Sequence, residues 1–364
     1  MLTNAHAPCA HMLEKQGTGV LRSCVASVEV SELDSSRLPR LPESFPGVGR
    51  SEGVRRTSPH APGARSGFTA PAPHCSRGRP QRLIACCTMH HGAPIPRILY
   101  GTAWKEERSE ALTALALASG FRGIDTANQR KHYFESAVGK AVQAAIHGGS
   151  VTRAELFLQT KFTFQGGQDQ RLPYDPKATV TTQVEQSVQS SLDHFATHYV
   201  DSFVLHGPSG RGALSRVDIE AWRAIEAQVV EGRTRFVGVS NFTLVQLREL
   251  LGLAQVAPRF LQNRCYARTG WDRDVRRLCA EHGVLYQGFS LLTANRAELA
   301  QPAVRALSQR TGRTAAELVF RFAHEVGMLP LTGTSDEQHM RLDLAALDVP
   351  LEPATVHWLE SAFD

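Results

Sequence analysis

Residues 95–364 of this 364-residue chain contain only two cysteines, Cys265 and Cys279. This scarcity excludes a disulfide framework there and predicts a reducing compartment. Long apolar runs are also missing: no stretch of 18 or more apolar residues occurs, so no membrane-spanning helix is expected. Net charge is missing as well, because residues 95–364 carry 29 basic and 29 acidic residues. Since nucleic-acid binding needs a basic face, no nucleic-acid partner is predicted.

The first 94 residues have a different composition. They carry 11 Lys and Arg against 6 Asp and Glu, and they hold ten of the 19 prolines and five of the seven cysteines. Residues 38–80 are rich in Pro, Gly, Ser and Arg without lasting periodicity, so we predict a disordered extension over 1–94. Two interpretations stay open: a transit peptide, or a segment that precedes a true start at Met89. The first implies an organelle and the second the cytoplasm.

A metal site is not expected near the end of this segment. Cys86 and Cys87 lie beside His90 and His91, but adjacent cysteines lack the spacing of the paired ligands in a zinc site. The predicted metal content is therefore none.

Apolar runs alternate with helical patterns after residue 95. The predicted strands are 98–104, 121–127, 156–161, 200–206, 235–240, 260–265, 285–292 and 328–331. The predicted helices are 110–118, 135–145, 180–192, 222–229, 244–251, 272–281, 315–324 and 336–347. Eight strand and helix units within about 270 residues predict one α/β domain, a (β/α)8 TIM barrel over 95–364.

Two helix ends have specific signals. Apolar residues recur every four positions from Val180 to Leu192, and Asp175 with Pro176 is predicted to start that helix. Gly232 is predicted to end the helix over 222–229 in a left-handed conformation.

In such a barrel, chemistry collects where the strands end, on the C-terminal face. The predicted strand ends carry, in order, Trp104, Asp125, Lys161, His206, Ser240 with Asn241, Gln262 with Asn263, Phe289 with Ser290, and Thr332 with Gly333. A carboxylate, an ammonium and an imidazole therefore converge at one mouth from neighbouring strands.

These groups suit proton transfer to an oxygen. Lys161 beside Asp125 can form a Schiff base with a carbonyl, or stay charged and lower the pKa of a neighbouring group. Tyr133 lies on the loop beyond Asp125, and a nearby cation would bring its pKa from about 10 towards neutrality. His206 can hydrogen-bond a carbonyl oxygen and fix its direction. Together the four groups can protonate the oxygen of a carbonyl group while a separate reactant adds to its carbon.

Four segments resemble the aldo-keto reductase family. They are GFRGIDTANQRKHYFESAVGKAV, LFLQTKF, YVDSFVLHGP and AWRAIEAQVVEGRTRFVGVSNF. The similarity runs from about Ile95 to Phe363 and covers none of the first 94 residues. It implies an oxidoreductase that reversibly reduces aldehydes or ketones with hydride from a nicotinamide cofactor. In this resemblance Tyr133 is the general acid, Lys161 adjusts its pKa, Asp125 pairs with Lys161, and His206 orients the carbonyl.

The resemblance also implies cofactor contacts. Ser240, Asn241 and Gln262 would bind the nicotinamide carboxamide, Phe289 would stack on its ring, and Ser290 and Leu292 would lie at the pyrophosphate. The adenosine end would be bound by Thr332, Gly333, Thr334, Ser335, His339 and Asp343. NADPH is the implied cofactor. The loop PLTGTSDEQHMRLD, however, lacks the usual Lys-Ser and Arg, so His339 and Arg341 would have to replace them and NADH stays open.

The chain departs from the family pattern in two places near the substrate. Arg130 occupies the usual tyrosine position, five residues after the aspartate, and Tyr133 follows three residues later. The alternative is that Tyr133 only packs while Arg130 or Lys131 lines the pocket. Gly207 stands where many members have a bulky aromatic residue, so we expect a wide pocket with Trp104 as its opposite wall.

Two other functions remain open at this stage. One is a regulatory protein that binds the cofactor with negligible turnover, and the other is a Schiff-base aldolase or lyase that uses Lys161. The predicted partner is a small-molecule carbonyl substrate, and the predicted protein is a monomer.

Overall fold

The computed structural model of the protein describes residues 87–90 and 93–364. Its first elements are two short antiparallel strands, β1 (Cys87–His90) and β2 (Ala93–Pro96), in which Cys87 pairs with Pro96. The described structure therefore includes a hairpin that spans the predicted boundary at residue 95. The rest of the predicted extension, 1–86 and 91–92, lies outside the described residues.

A closed barrel of parallel strands follows the hairpin. Its strands are β3 (Leu99–Gly101), β4 (Gly123–Asp125), β5 (Phe157–Phe162), β6 (Val200–Leu205), β7 (Thr234–Ser240), β8 (Phe260–Arg264), β9 (Leu285–Phe289) and β10 (Leu329–Thr332). Neighbours along the chain pair in order, and β10 closes the barrel against β3. The predicted (β/α)8 fold is confirmed.

Helices cover the outside of the barrel. They are α1 (Ser109–Ser119), α2 (Glu135–His147), α3 (Val180–Phe195), α4 (Arg216–Val230), α5 (Leu244–Leu253), α6 (Arg273–Glu281), α7 (Arg296–Leu299), α8 (Pro302–Thr311), α9 (Ala315–Glu325), α10 (Glu337–Ala346) and α11 (Pro353–Ser361). The sequence did not predict α7 and α8, because only Val304 and Leu307 of α8 are buried and four-residue α7 buries none. None of the helices among the described residues is long and apolar enough to cross a membrane.

The two predicted helix-end signals have different outcomes. Gly232 follows α4 with φ of 72° and donates its N–H to Val229, as predicted. The predicted start of α3 is wrong: Thr179 caps the helix by accepting the N–H of Thr182. Asp175 instead accepts the N–H of Lys177 in a local turn, so it belongs to the loop before the helix.

Apolar side chains form two cores. The inner core fills the lower end of the barrel with Ile95, Leu99, Phe157, Phe260, Leu329 and Leu331. The outer core lies between the strands and the helices, and it includes Cys265 and Cys279 as buried free thiols that pack as small apolar side chains. Above the inner apolar layer, the barrel interior becomes polar.

Gly139 fixes the approach of α2 to α3. A Cβ atom at this position would lie 1.9 Å from the carbonyl oxygen of His194. Glycine is unfavourable inside a helix, so its presence in α2 is explained by this close approach rather than by helix propensity.

We expect Gly139→Ala to lower the free energy of unfolding by about 1–3 kcal/mol, because backbone atoms must move to admit the methyl group. Chemical denaturation measures this. The matched control is Gly252→Ala in α5, where a Cβ meets nothing within 4 Å; it should be neutral or stabilising by about 0.5–1 kcal/mol. Equal effects of the two substitutions would contradict the packing argument.

Candidate active site

A buried ion pair lies at the barrel mouth, where β4 and β5 end. The ammonium of Lys161 donates to Oδ1 of Asp125 at 2.7 Å, to Oδ2 at 2.8 Å and to the carbonyl of Thr126 at 2.7 Å. Lys161 is fully buried and Asp125 nearly so. Three acceptors match the three N–H donors of a charged ammonium. Burial lowers the pKa of Lys161, and the charge and hydrogen bonds of Asp125 offset this in part.

Three glutamines surround the same carboxylate. Gln159 and Gln262 each donate to Oδ1 of Asp125, at 2.7 and 3.0 Å. Gln287 connects the two glutamines and is itself fully buried. Gln159 and Gln287 were not predicted from the sequence, although the alternation of a strand was a usable signal: Gln159 lies two residues before Lys161 and so shares its face.

A backbone turn from Gln129 to Tyr133 places the Tyr133 side chain beside the Lys161–Asp125 ion pair. The N–H of Tyr133 donates to the carbonyl of Gln129 at 3.0 Å, and the side chain of Gln129 is bonded to Gly167. The Lys161 ammonium then lies 5.3 Å from the centre of the Tyr133 ring. The ring of His206 meets that of Tyr133 edge-on, with 5.7 Å between their centres.

The pKa of Tyr133 differs from expectation. Burial and then the negative charge of Asp125 raise it above its ordinary value, so the predicted lowering by Lys161 is wrong for the protein alone. The reason is that Asp125 neutralises the lysine at short range, which leaves desolvation as the dominant effect. Tyr133 therefore keeps its proton at neutral pH.

His206 is neutral in the same environment. Burial, followed by the charges of Lys161 and His132, lowers its pKa to about 3. Its Nδ1 lies 2.7 Å from the hydroxyl of Thr163. When that hydroxyl donates, Nδ1 accepts and Nε2 carries the ring proton. The sequence did not single out Thr163, which directly follows β5.

Arg130, one of the alternative pocket residues, is held by contacts of its own, apart from the Lys161–Asp125 pair. Arg130 forms an ion pair with Glu107 at 3.2 Å, and its guanidinium stacks 3.8 Å from the ring centre of Phe134. It lines a cavity of about 270 Å³ that Tyr133 and His194 also line. Trp104 is 67% exposed and stacks on His132 with ring centres 4.0 Å apart. It is thus a residue of the rim rather than a packed wall.

Gly207 leaves room on the opposite side of the mouth. A Cβ atom there would meet only ordinary van der Waals neighbours in Ser240 and Asn241, at 3.8 Å or more. A side chain would therefore be tolerated, and its absence widens the site next to His206.

The residues predicted to bind a carboxamide lie together at the ends of β7 and β8. Asn241 donates to the carbonyl of His206 at 2.8 Å and to the hydroxyl of Ser240 at 3.1 Å, while Ser240 donates to the carbonyl of Gln262. The amide oxygens of Asn241 and Gln262 accept no hydrogen bond from any described residue. Two free acceptors fit the NH2 group of a nicotinamide carboxamide.

Backbone conformation at this edge is unusual. Asn241 and Ser290 both have left-handed φ values, 58° and 57°, at the ends of β7 and β9. Such conformations cost of order 1–3 kcal/mol each and cluster at binding sites. Phe289, before Ser290, is half-buried with the guanidinium of Arg264 5.6 Å from its ring centre. Leu292 is partly buried in the same loop.

The residues predicted for the adenosine end fall into a buried and an exposed group. Thr332 donates to Asp343 at 2.7 Å, and burial raises the pKa of that carboxyl to about 6. The remaining members are Gly333, Thr334, Ser335 and His339, of which Thr334 is partly buried and the others are exposed.

Lys105 is a further cation in this region that the sequence analysis missed. It follows Trp104 directly, and its buried side chain donates to the carbonyl of Gly333 and lies 5.9 Å from the ring centre of Tyr100. Its position beyond β3, on the C-terminal face, was the available signal.

Comparisons with known proteins identify the family and support the fold. A sequence model of the Aldo/keto reductase family matches residues 97–363. The chain is 26% identical over 271 residues to the uncharacterized oxidoreductase YtbE of Bacillus subtilis, covering 74% of this chain and 89% of YtbE. It is 27% identical over 269 residues to the methylglyoxal reductase DkgA of Salmonella typhimurium, covering 72% and 88%. A crystal structure of a Bombyx mori aldo-keto reductase in complex with NADP has a TM-score of 0.63 at 22% identity, covering 75% of this chain and 91% of that one.

The pKa values of His206 and His194 are shifted in opposite directions. The pKa of His206 is lowered to about 3, whereas Glu135, 2.8 Å from His194, raises the pKa of His194 despite the opposing effect of burial. In an NMR titration of histidine-labelled protein, we expect His206 to stay neutral across pH 5–8 and the pKa of His194 to lie above that of an ordinary histidine. Signals are assigned with His206→Gln and His194→Gln. A midpoint near 6.5 for His206 would contradict the described burial.

Proposed function

The chain belongs to the aldo/keto reductase family, and from that premise we propose that it reduces aldehydes or ketones to alcohols with hydride from a nicotinamide cofactor. The supporting observation is the arrangement of Tyr133, Lys161 and His206 at one barrel mouth, with Asp125 beneath them. The relatives named an oxidoreductase and a methylglyoxal reductase support the same reaction class.

Tyr133 is the proposed proton donor to the carbonyl oxygen. Its raised pKa keeps the hydroxyl protonated until a substrate arrives. After transfer, the resulting phenolate carries a negative charge next to the Lys161 ammonium, which stabilises it by electrostatic attraction in a site shielded from water. Asp125 keeps that ammonium in place.

His206 is the proposed orienting group. Being neutral, with Nδ1 accepting from Thr163, it presents Nε2–H as a hydrogen-bond donor to the carbonyl oxygen. A neutral donor fixes the direction of the oxygen without competing with Tyr133 for the proton transfer.

The cofactor supplies the hydride for the carbonyl carbon when it is bound. The free amide oxygens of Asn241 and Gln262 are proposed to accept from its carboxamide, and Phe289, Ser290 and Leu292 to lie along the nicotinamide and pyrophosphate. Thr332 to Ser335, His339 and Asp343 are proposed for the adenosine end.

NADPH is the proposed hydride donor, supported by the NADP complex of the Bombyx mori neighbour. His339 and Arg341 are the exposed cations nearest the loop after β10, although Arg341 is paired with Glu337 at 2.6 Å. That pairing keeps NADH as the alternative.

The substrate is proposed to be a small carbonyl compound bound between Trp104 and Gly207. The lack of a side chain at Gly207 supports a wide pocket. A Schiff base on Lys161 is disfavoured because all three ammonium protons are engaged in hydrogen bonds.

We expect Tyr133→Phe to lower kcat for aldehyde reduction by about 100-fold or more, since a positioned general acid contributes that much. The change should leave the dissociation constant for NADPH nearly unaltered. NADPH oxidation is followed by absorbance with a panel of aldehydes and ketones, and binding by fluorescence. The control is Tyr199→Phe, a tyrosine whose hydroxyl accepts from Arg235 near the starts of β6 and β7, away from the mouth; it should retain most of the activity. Full turnover in Tyr133→Phe would refute the assignment, and binding without turnover in the wild type would select the regulatory alternative.

A further inference from the structure

A closed ring of hydrogen bonds lies in the barrel just below the ion pair. Gln159 donates to Asp125 at 2.7 Å, and Gln287 donates to Gln159 at 3.0 Å. Gln262 donates to Gln287 at 2.9 Å and to Asp125 at 3.0 Å, which completes the ring. The members come from β4, β5, β8 and β9, and all four are buried.

The charge on Asp125 determines the direction of every bond in this ring. An ionised carboxylate only accepts hydrogen bonds, so both Gln159 and Gln262 must turn their NH2 groups towards it. Those NH2 groups also lie against Gln287, at 2.7 and 2.9 Å, and the atom they meet must be its amide oxygen. Gln287 is then left with its NH2 group for the oxygen of Gln159. No other set of amide orientations satisfies these contacts.

One atom of the ring remains without a partner. The amide oxygen of Gln262 accepts no hydrogen bond from any described residue, and it is not among the fully buried atoms that lack one. It therefore keeps contact with the solvent of the mouth, whereas the NH2 group of Gln262 is fixed inside the barrel. The ring thus presents a fixed acceptor, and no donor, at this point.

We propose that Gln159 and Gln287 are positioning residues for the nicotinamide carboxamide. Asp125 accepts from one hydrogen of the Gln262 NH2 group, and Gln287, fixed in turn by Gln159, accepts from the other, so that the amide is anchored at two points with its oxygen towards the mouth. An oxygen there accepts from the NH2 group of the carboxamide, whereas a reversed amide would place two NH2 groups against each other. This inference rests on the proposed function. It also gives Asp125 two roles in the proposed reaction. Through Lys161 it supports the proton donor, and through Gln262 it supports binding of the cofactor.

A purely structural role would have a different signature. Buried amides that are bonded only to one another contribute to stability, and their removal would weaken the binding of every cofactor analogue alike. A positioning role instead depends on the NH2 group of the carboxamide. The reduced 3-acetylpyridine analogue of NADPH separates the two roles, since a methyl group replaces that NH2 group.

The test measures dissociation constants of NADPH and of this analogue for the full chain, by quenching of protein fluorescence and without turnover. We expect the wild type to bind NADPH more tightly than the analogue by about three- to tenfold, the worth of one hydrogen bond. In Gln287→Met and in Gln159→Met this preference should fall to about twofold or less. Either variant suffices if the other does not fold.

A control completes the experiment. Gln228→Met alters a buried glutamine of α4 that donates to Ala224 outside the mouth, and it should keep the wild-type preference. An unchanged preference in the folded Gln159 and Gln287 methionine variants would overturn the inference. Failure of the wild type to bind either dinucleotide would instead overturn the proposed function, and the inference with it.

Discussion

The barrel mouth depends on the buried carboxylate of Asp125. Isolated in the barrel interior, such a charge would be strongly unfavourable, and it is compatible with folding only because Lys161, Gln159 and Gln262 all donate to it. These donors come from two other strands, so the carboxylate fixes β5 and β8 relative to β4. The same bonds determine the charge of Lys161 and the orientation of three amides. One charged group thus organises the polar layer above the apolar lower end of the barrel.

The protonation states of Tyr133 and His206 without substrate depend on burial as much as on neighbouring charges. Desolvation raises the pKa of Tyr133 and lowers that of His206, so the tyrosine keeps its proton and the histidine stays neutral. Lys161 lies against the tyrosine ring, yet its charge is compensated by Asp125. In the proposed reaction the ammonium acts mainly once a phenolate has formed, when it stabilises the new negative charge. This differs from the simpler expectation that a lysine lowers the pKa of a free tyrosine.

The sequence predicted the barrel and the strand ends because those features are local and periodic. Asp125, Lys161 and His206 were found from their positions at strand ends, and Tyr133 from the helix entry that follows it. Other features depend on contacts between distant segments. The pairing of Gln159 with Gln287 joins residues 128 positions apart, and the close approach at Gly139 requires the carbonyl of His194. The start of α3 at Thr179 was missed because Asp175 offers an equally good local cap. The raised pKa of Tyr133 depends on burial, which no spacing of residues reveals.

The central claim is that the cluster around Asp125 supplies a proton to a carbonyl oxygen while a bound dinucleotide supplies hydride to its carbon. The most direct test uses NADPH carrying deuterium at the transferred position, with an aldehyde substrate, and follows the label into the alcohol by mass spectrometry in the wild type and in Asp125→Asn. The account predicts deuterium on the alcohol carbon for the wild type and a rate lower by about 100-fold in the variant. Absence of label in the wild-type product, or equal rates in the two proteins, would contradict it.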